Sequence, residues 1–178
     1  MRLFYLAAVS AFALSACGTM PQDAGVHVPM ALATASGPGA SIGEIVLHRN
    51  GSGVALALNL HGLPPGPHGF HLHAMGSCDA AAGANGAMAP AGAAGGHFDP
   101  ANTSHHMGPM GEGHLGDLPV IQVGADGAAH QTLHVTRLHS PDDFKGHALM
   151  IHAGGDNYSD TPAPLGGGGA RIACGVVS

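Results

Sequence analysis

Histidine and aspartate residues that could bind metal ions are spread over positions 71–152 of this chain of 178 residues. Imidazole nitrogens and carboxylate oxygens are common protein ligands of zinc, and imidazole also suits copper. Their spacing separates into two groups, so the sequence predicts a site for two metal ions. The residues concerned are His71, His73, His97, His106, His114, Asp117 and His152.

One group is predicted to lie on strands. Residues 69–73 read Gly-Phe-His-Leu-His, and successive side chains of a strand point to opposite faces, so His71 and His73 share a face. Two imidazoles on one face make half of a metal site. A further imidazole comes from His152, which ends an apolar run typical of a buried strand before a Gly-Gly turn.

The other group lies in a loop rich in glycine and proline. Its ligands His97, His106, His114 and Asp117 are 9, 8 and 3 residues apart, which is close enough for one loop to fold round one ion. Three imidazoles and one carboxylate suit a closed tetrahedral zinc site. The spacing does not indicate which residue, if any, serves both metals.

The elements that position these residues are predicted to be strands. A glycine count of 30, with few aromatic residues, favours a loop-rich β protein over a helical one. Alternating or apolar runs separated by Gly and Pro turns predict an all-β fold, an eight-stranded Greek-key barrel or sandwich with long metal-binding loops. The runs are 26–34, 42–49, 53–60, 69–74, 118–124, 128–138, 147–152 and 170–177.

Five motifs occur in the order found in one known family, and the match covers residues 25 to 178. On these motifs the chain resembles a bacterial copper,zinc superoxide dismutase of the periplasmic, lipoprotein type. The motifs are GFHLH, GGHFDP, GHLGDLP, GGDN and GGGGARIACGV.

The resemblance implies one copper and one zinc per subunit and assigns their ligands. His97 would serve both metals as a bridging imidazolate. Either His105 or His106 could reach the zinc, and the family pattern His-x-Gly-Pro favours His106. Asp156 would hydrogen-bond both His71 and His106, in keeping with the need of ligating imidazoles for an acceptor on the other nitrogen. Copper is assigned to His71, His73, His97 and His152, and zinc to His97, His106, His114 and Asp117.

The resemblance also implies the reaction. Oxidised copper takes an electron from one superoxide and releases dioxygen, and reduced copper passes the electron to a second superoxide, which yields hydrogen peroxide. His97 would take up a proton on reduction and deliver it on reoxidation, and Arg171 would draw the anionic substrate to the copper. No organic cofactor is needed.

The N-terminus predicts export. Residues 1–16 have one Arg and an apolar stretch too short to span a bilayer, as a signal peptide does. Leu14-Ser15-Ala16-Cys17 resembles a bacterial lipobox, so residues 17–25 would be a lipidated Cys17 with a tether and residues 26–178 the dismutase domain. Ordinary signal cleavage with Cys17 incidental is the alternative. Gly18 after the cysteine favours an anchor in the outer membrane, facing the periplasm.

The remaining cysteines, Cys78 and Cys174, are an even pair in an exported protein and predict a disulfide. Such a bond would hold the loop of Cys78 beside Arg171, which lies three residues before Cys174.

The charge balance departs from the usual pattern of the family. Removal of Arg2 with the signal peptide leaves four Lys and Arg against eleven Asp and Glu, a formal charge of −7. Between Lys145 and Arg171 there is no cation, whereas the family commonly has Lys there or near Cys78. We therefore expect a slower enzyme with a weak dependence on ionic strength. The excess of Asp and Glu over Lys and Arg also disfavours nucleic-acid binding.

Two other functions are compatible with parts of the sequence. A dismutase-like lipoprotein that only binds or delivers copper would be expected to lack a copper ligand or the arginine, and this chain lacks neither. A structural envelope lipoprotein would not need complete ligand sets. A homodimer is neither required nor excluded, and no histidine can be assigned to haem.

Overall fold

The computed structural model describes residues 24–83 and 86–178. Their secondary structure is almost entirely β. The strands are β1 Val26–Thr34, β2 Gly37–Asn50, β3 Gly53–Leu60, β4 Gly66–His68, β5 Phe70–His73, β6 Ala81–Ala82, β7 Met88–Ala89, β8 Ile121–Val123, β9 Ala129–Val135, β10 Ala148–His152 and β11 Arg171–Val176. Short 3₁₀ helices occupy Gly92–Ala94, Pro141–Phe144 and Pro164–Gly167.

Each of the eight predicted runs contains a strand, so the all-β prediction is confirmed. The structure adds β4 and the two-residue strands β6 and β7, which were too short to show alternation. The predicted signal peptide and the predicted lipidation site Cys17 lie outside the described residues. Within the described ranges, no helix has the length and apolarity needed to cross a membrane.

Seven strands form one antiparallel sheet in the order β5-β10-β11-β1-β2-β3-β9. The strand β4 pairs with β8 and is separated from β5 only by Gly69, so residues 66–73 act as one strand that changes partner from β8 to β10. Counted in this way, eight strands make up the barrel. The chain passes from β3 to β4 and from β9 to β10 without pairing those strands, which is a Greek-key arrangement.

The barrel interior holds the main core. On β5, Phe70 and Leu72 point into it, and Leu149 and Ile151 do the same from β10. These four side chains are fully buried, which stabilises the two strands that also carry His71, His73 and His152.

The opposite face of β5 and β10 is buried as well, because the long loops 74–120 and 153–170 cover it. His71 is the register partner of Met150, and His73 is the partner of Ala148. On β10 both faces are apolar up to His152, as is common in a strand buried on both faces. This explains why the run before His152 shows no alternation.

A bulge in the pairing of β10 with β11 brings Arg171 to the site. The register shifts between Ile151 and His152, so that His152 pairs with Arg171. The cation is thereby fixed to the end of the strand that carries the imidazole.

The disulfide between Cys78 and Cys174 joins the loop after β5 to β11, as predicted. It is packed in a small second core with Ala91, Ala94 and Met150. The bond therefore fastens the covering loop to the same sheet that carries the imidazoles.

We expect loss of this bond to destabilise the fold strongly. The bond closes a loop with a sequence separation of 96 residues. Replacing both cysteines by serine should lower the free energy of unfolding by about 4–5 kcal/mol, because the unfolded chain regains the freedom that the crosslink removed. Urea unfolding of the oxidised protein and the double variant, at matched metal content, would measure this. An unchanged free energy of unfolding would contradict the prediction.

Candidate metal centre

Four imidazoles from two strands and one loop converge on one point. Each of them offers a ring nitrogen, and these nitrogens all lie within 4.8 Å of one another. The Nε2 atoms of His73 and His152 are 3.4 Å apart, with His73 on β5 and His152 at the end of β10. We call this group the first ligand set, and its members are His71, His73, His97 and His152.

Beside it lies a second ligand set, which consists of His97, His106, His114 and Asp117. The Nδ1 atoms of its three imidazoles surround one oxygen, Asp117 Oδ1, at 3.0, 3.0 and 3.3 Å. Ligand atoms bound tetrahedrally at about 2.0–2.1 Å from a zinc ion are separated by about 3.3 Å. The distances from Asp117 Oδ1 to the three nitrogens are therefore close to the spacing that one zinc ion requires.

His97 belongs to both sets. Its Nδ1 lies 3.0 Å from Asp117, which leaves Nε2 for the first set. Its ring stacks on that of His71 with centroids 3.9 Å apart. Isolated β-bridges from His73 to His97 and from His71 to Asp117 hold the loop against β5. The sequence alone could not identify this shared residue.

Asp156 connects the two sets through the outward-facing Nε2 atoms of His71 and His106. His71 Nε2 donates to Asp156 Oδ2 at 2.8 Å, and His106 Nε2 donates to Oδ1 at 2.7 Å. Both ring orientations are thereby fixed, with Nδ1 turned inward. The structure gives Asp156 the contacts that the sequence analysis expected of it.

The inward nitrogens of these two histidines test whether metals fit. The Nδ1 atoms of His71 and His106 are buried and make no hydrogen bond in the structure. His106 Nδ1 lies 3.0 Å from Asp117 Oδ1, but without the alignment of a hydrogen bond. Buried polar nitrogens are rarely left without a partner. Metal ions in the two sets would supply the missing partners, so the donor atoms fit copper and zinc.

Burial keeps most imidazoles of the first set neutral. It lowers the pKa of His71 to about 3 despite the hydrogen bond to Asp156, and it lowers the pKa of His152 to about 4. Burial, together with the neighbouring His97, lowers the pKa of His73 to about 2. Neutral imidazoles keep the lone pairs that metal ligation needs.

In the second set, contacts between carboxylates and histidines determine the direction of the pKa shifts. Burial would raise the pKa of Asp117 and of Asp156, but hydrogen bonds from histidines outweigh it and hold both values well below the usual range. Burial also opposes the charge on His106, yet the two carboxylates raise the pKa of His106 to about 9. Zinc would therefore displace a proton from His106 on binding.

The structure also separates His106 from its neighbour His105. His106 is buried in the second set, whereas the His105 side chain is 72% exposed and lies 3.4 Å from Asp160. Asp160 in addition accepts the backbone N–H of His106 at 3.1 Å. The structure therefore places the residue favoured by the motif at the site.

Arg171 lies at the edge of the first set. Its Nη1 donates to Ala91 O at 2.6 Å and its Nη2 donates to Gly95 O at 2.5 Å. The carbonyl of Gly95 also accepts from His73 Nδ1 at 2.9 Å. The guanidinium is thus held by the same backbone that orients a histidine of the first set.

Arg137 was missed by the sequence analysis. It donates to the carbonyls of Gly113 and His114, both at 2.9 Å, and so fixes the backbone next to a histidine of the second set. An arginine two residues after the end of a strand is the only signal that the sequence offers, and only the fold shows what it reaches.

Gly166 was missed as well. It has φ +70°, and a Cβ there would collide with Asp156 Oδ1 and lie 2.8 Å from His106 Nε2. The chain can close over the link between Asp156 and His106 only because this residue has no side chain. The run of four glycines at 166–169 is the signal that could have found it.

Comparison with known proteins places these features in a family. The family model described as copper/zinc superoxide dismutase (SODC) matches residues 41–177. A curated relative, superoxide dismutase [Cu-Zn] 2 of Salmonella typhimurium, is 54% identical over 156 residues, which cover 88% of this chain and 90% of the relative.

Solved structures agree with this. The copper/zinc superoxide dismutase from Brucella abortus superposes with a TM-score of 0.83 at 47% identity, covering 85% of this chain and 98% of that one. The monomeric copper, zinc superoxide dismutase from Salmonella enterica gives a TM-score of 0.78 at 54% identity, covering 87% and 100%.

The close approach of Gly166 to Asp156 predicts that a side chain at position 166 weakens metal binding. Gly166→Ala should displace Asp156 and weaken the binding of both metals by roughly 10- to 100-fold, the usual effect of losing a partner behind the ligands. Gly167→Ala is the matched control, because Gly167 also has a positive φ of +79° but its Cβ would meet only Ala163 at 3.4 Å. Competition with chelators measures both affinities. Equal losses in the two variants would show that backbone strain alone is responsible.

The hydrogen bonds from Arg137 to the loop of the second set predict that this arginine supports zinc binding. Arg137→Gln should lower zinc affinity by about 10-fold and leave copper affinity nearly unchanged, because it loosens only the loop of the second set. Cobalt(II) in place of zinc would report the distortion in its visible spectrum. Arg49→Gln is the control, since Arg49 also binds a loop, at His139 O and Ser140 Oγ. An unaltered cobalt spectrum in Arg137→Gln would contradict the prediction.

Proposed function

Because the chain belongs to the copper/zinc superoxide dismutase family, we propose that the first ligand set binds the copper of this enzyme and the second set binds its zinc. The enzyme converts superoxide to dioxygen and hydrogen peroxide. The observation that carries the assignment is the convergence of two complete donor sets that share His97.

The two metals would have different chemical roles in the two sets. Copper would supply alternate reduction and oxidation, whereas zinc, which has no redox chemistry, would hold the loop and the shared imidazole in place. Among the described residues, the two ligand sets would hold the metals, Arg171 would be the cation, and His97 would carry the proton.

His97 is proposed as the group that carries the proton. Its Nδ1 lies 3.0 Å from Asp117 in the second set, which leaves Nε2 for the first set. Nε2 would hold a proton in the reduced state of the enzyme and donate it to the peroxide that leaves.

Arg171 is proposed to bind the substrate anion. Of the four Lys and Arg residues in the described part of the chain, Arg49, Arg137 and Lys145 contact other loops or Asp142. Arg171 pairs with His152 across the strands and is held rigidly by two carbonyls. A fixed cation beside the first set would orient a small anion without having to be ordered first.

The rival function, a non-catalytic lipoprotein that only binds or delivers copper, is not supported. Such a protein would not need the second set, the shared His97 and the held Arg171 at the same time. The same completeness disfavours a purely structural envelope lipoprotein.

We further propose that the protein is exported to the bacterial periplasm and attached to the outer membrane through lipid on Cys17. The supporting observation is the sequence of residues 1–18. Two or more acyl chains are needed for stable attachment to a membrane. A homodimer would also be compatible with the chain.

The enzymatic assignment predicts that His152→Ala abolishes turnover. Dismutation, measured by pulse radiolysis on the metal-loaded protein, should fall by more than about 100-fold because copper loses one of its ligands. His61→Ala, at an exposed histidine outside both sets, is the control. Turnover retained in His152→Ala would refute the ligand assignment. Metal uptake without turnover in the unaltered protein would instead favour a copper-handling function.

The charge distribution predicts a weak dependence on salt. Between about 0.01 and 0.15 M ionic strength the Debye length falls from roughly 30 to 8 Å. The rate should change by less than about two-fold over this range, because residues 146–170 supply no Lys or Arg that could steer the anion. Asp79→Lys, next to Cys78, should raise the rate and make it fall with salt. A steep fall in the unaltered enzyme would contradict the prediction.

A further inference from the structure

His147, which belongs to neither ligand set, makes two side-chain contacts next to the first set. It directly precedes β10, and its half-buried imidazole donates from Nδ1 to the carbonyl of Ala74 at 2.8 Å. The same ring lies against the phenyl ring of Phe98, with centroids 4.1 Å apart and planes inclined by 38°. Ala74 directly follows His73, and Phe98 directly follows His97. One side chain therefore contacts the residue after each of two histidines of the first set.

These two histidines are themselves joined through their backbones. His73 and His97 form an isolated antiparallel bridge between β5 and the loop that follows it. The backbone N–H groups of Ala74 and Phe98 each donate to a carbonyl of the opposite segment, at 2.9 and 2.8 Å. The relative position of the two imidazoles therefore depends on the two residues that His147 contacts.

The backbone of His147 is fixed independently of the ligand sets. Its N–H donates to the carbonyl of Phe144 at 3.2 Å, and its own carbonyl accepts from the N–H of Val177 at 3.0 Å. Phe144 and Val177 are fully buried members of the main core. A side chain can orient another segment only if its own position is fixed, and His147 meets this condition.

Phe98 connects the contact with His147 to a ligand of both sets. Its ring packs against the main core, whereas the preceding residue, His97, supplies a nitrogen to each ligand set. A displacement of the Phe98 ring would therefore move the backbone that carries His97. The hydrogen bond from His147 to Ala74 restrains the other side of the bridge in the same way.

We propose that His147 is a positioning residue of the first ligand set, which fixes the relative orientation of His73 and His97 through Ala74 and Phe98. This inference rests on the proposed function, because it concerns the set to which copper is assigned. His147 contacts the backbone and the ring behind the ligands, so no bond-making or proton-transfer step is assigned to it. Without it, the ligand nitrogens of His73 and His97 would converge less closely.

His139 provides a matched control. Its Nδ1 also donates to a backbone carbonyl, that of Ser52, at 2.9 Å. Ser52 lies between β2 and β3, and neither residue belongs to a ligand set or directly follows one of its members. His139→Ala therefore removes a hydrogen bond of the same kind that does not restrain the His73–His97 bridge.

The experiment compares Cu(II) spectra at full occupancy. Each variant is loaded with zinc and Cu(II), freed of excess metal and examined by electron paramagnetic resonance and visible absorption. His147→Ala should alter both spectra and release copper to a chelator at least about five-fold faster, because two ligands lose their alignment. His139→Ala should match the unaltered protein in both measurements. A contribution of His147 to folding alone would leave the spectra of folded, fully loaded protein unchanged.

Two conservative variants separate the two contacts. His147→Asn keeps an N–H at the position of Nδ1 and loses the ring, so it should alter the spectra less than His147→Ala does. Phe98→Leu keeps an apolar side chain and removes the ring contact. It should alter the spectra and the release rate less in the His147→Ala background than in the unaltered protein, because the two side chains act together. Equal effects of Phe98→Leu in both backgrounds, or no rescue by His147→Asn, would overturn the proposal.

The outcomes distinguish this proposal from the assignment of the copper site. Unchanged spectra and an unchanged release rate in His147→Ala would overturn the positioning role and leave the copper assignment intact. If His147→Ala does not fold, unchanged spectra in both His147→Asn and Phe98→Leu would overturn the role instead. If the unaltered protein does not acquire the spectrum of Cu(II) bound by imidazoles, the copper assignment itself fails.

Discussion

The Asp156 carboxylate, shared between His71 and His106, is the interaction on which the arrangement of the site depends. Its two oxygens accept from a histidine of each ligand set, at the ring nitrogen that points away from the other ligands. Because its two oxygens accept one hydrogen bond each, it sets both rings with Nδ1 inward. It also joins the loop 153–170 to β5 and to the loop of the second set. A displacement of the Asp156 carboxylate would therefore disturb a histidine of each ligand set at the same time.

The two ligand sets are supported in different ways. His71, His73 and His152 lie on strands whose other faces fill the barrel core, so their backbone is fixed by packing that does not involve metal. The second set lies mostly on a loop, which is held by Arg137, Asp160 and short bridges to β5. Polar clamps on a loop are easier to open than a core strand. We infer that an ion in the second set would order the loop around it, whereas the strand ligands of the first set are largely preorganised.

The sequence could predict the strands and the ligand types because both depend on local pattern. The alternation at His71 and His73 and the spacing of the loop ligands are local features of this kind. It could not predict contacts between segments far apart in the chain. The reach of Arg137 to His114 spans 23 residues, and the contact of Gly166 with Asp156 depends on a turn that only the folded chain shows. The shared role of His97 followed from family resemblance, because spacing does not state which nitrogen faces which set.

The buried nitrogens connect metal binding to folding. His71 Nδ1 and His106 Nδ1 have no hydrogen-bond partner, and each unsatisfied buried group costs about 1–3 kcal/mol. The raised pKa of His106 acts in the other direction, because the two carboxylates stabilise a proton on the ring that zinc must displace. Metal binding therefore gives the buried nitrogens their partners and releases this proton. Until the metals bind, the barrel core and the disulfide keep the ligand-bearing segments together.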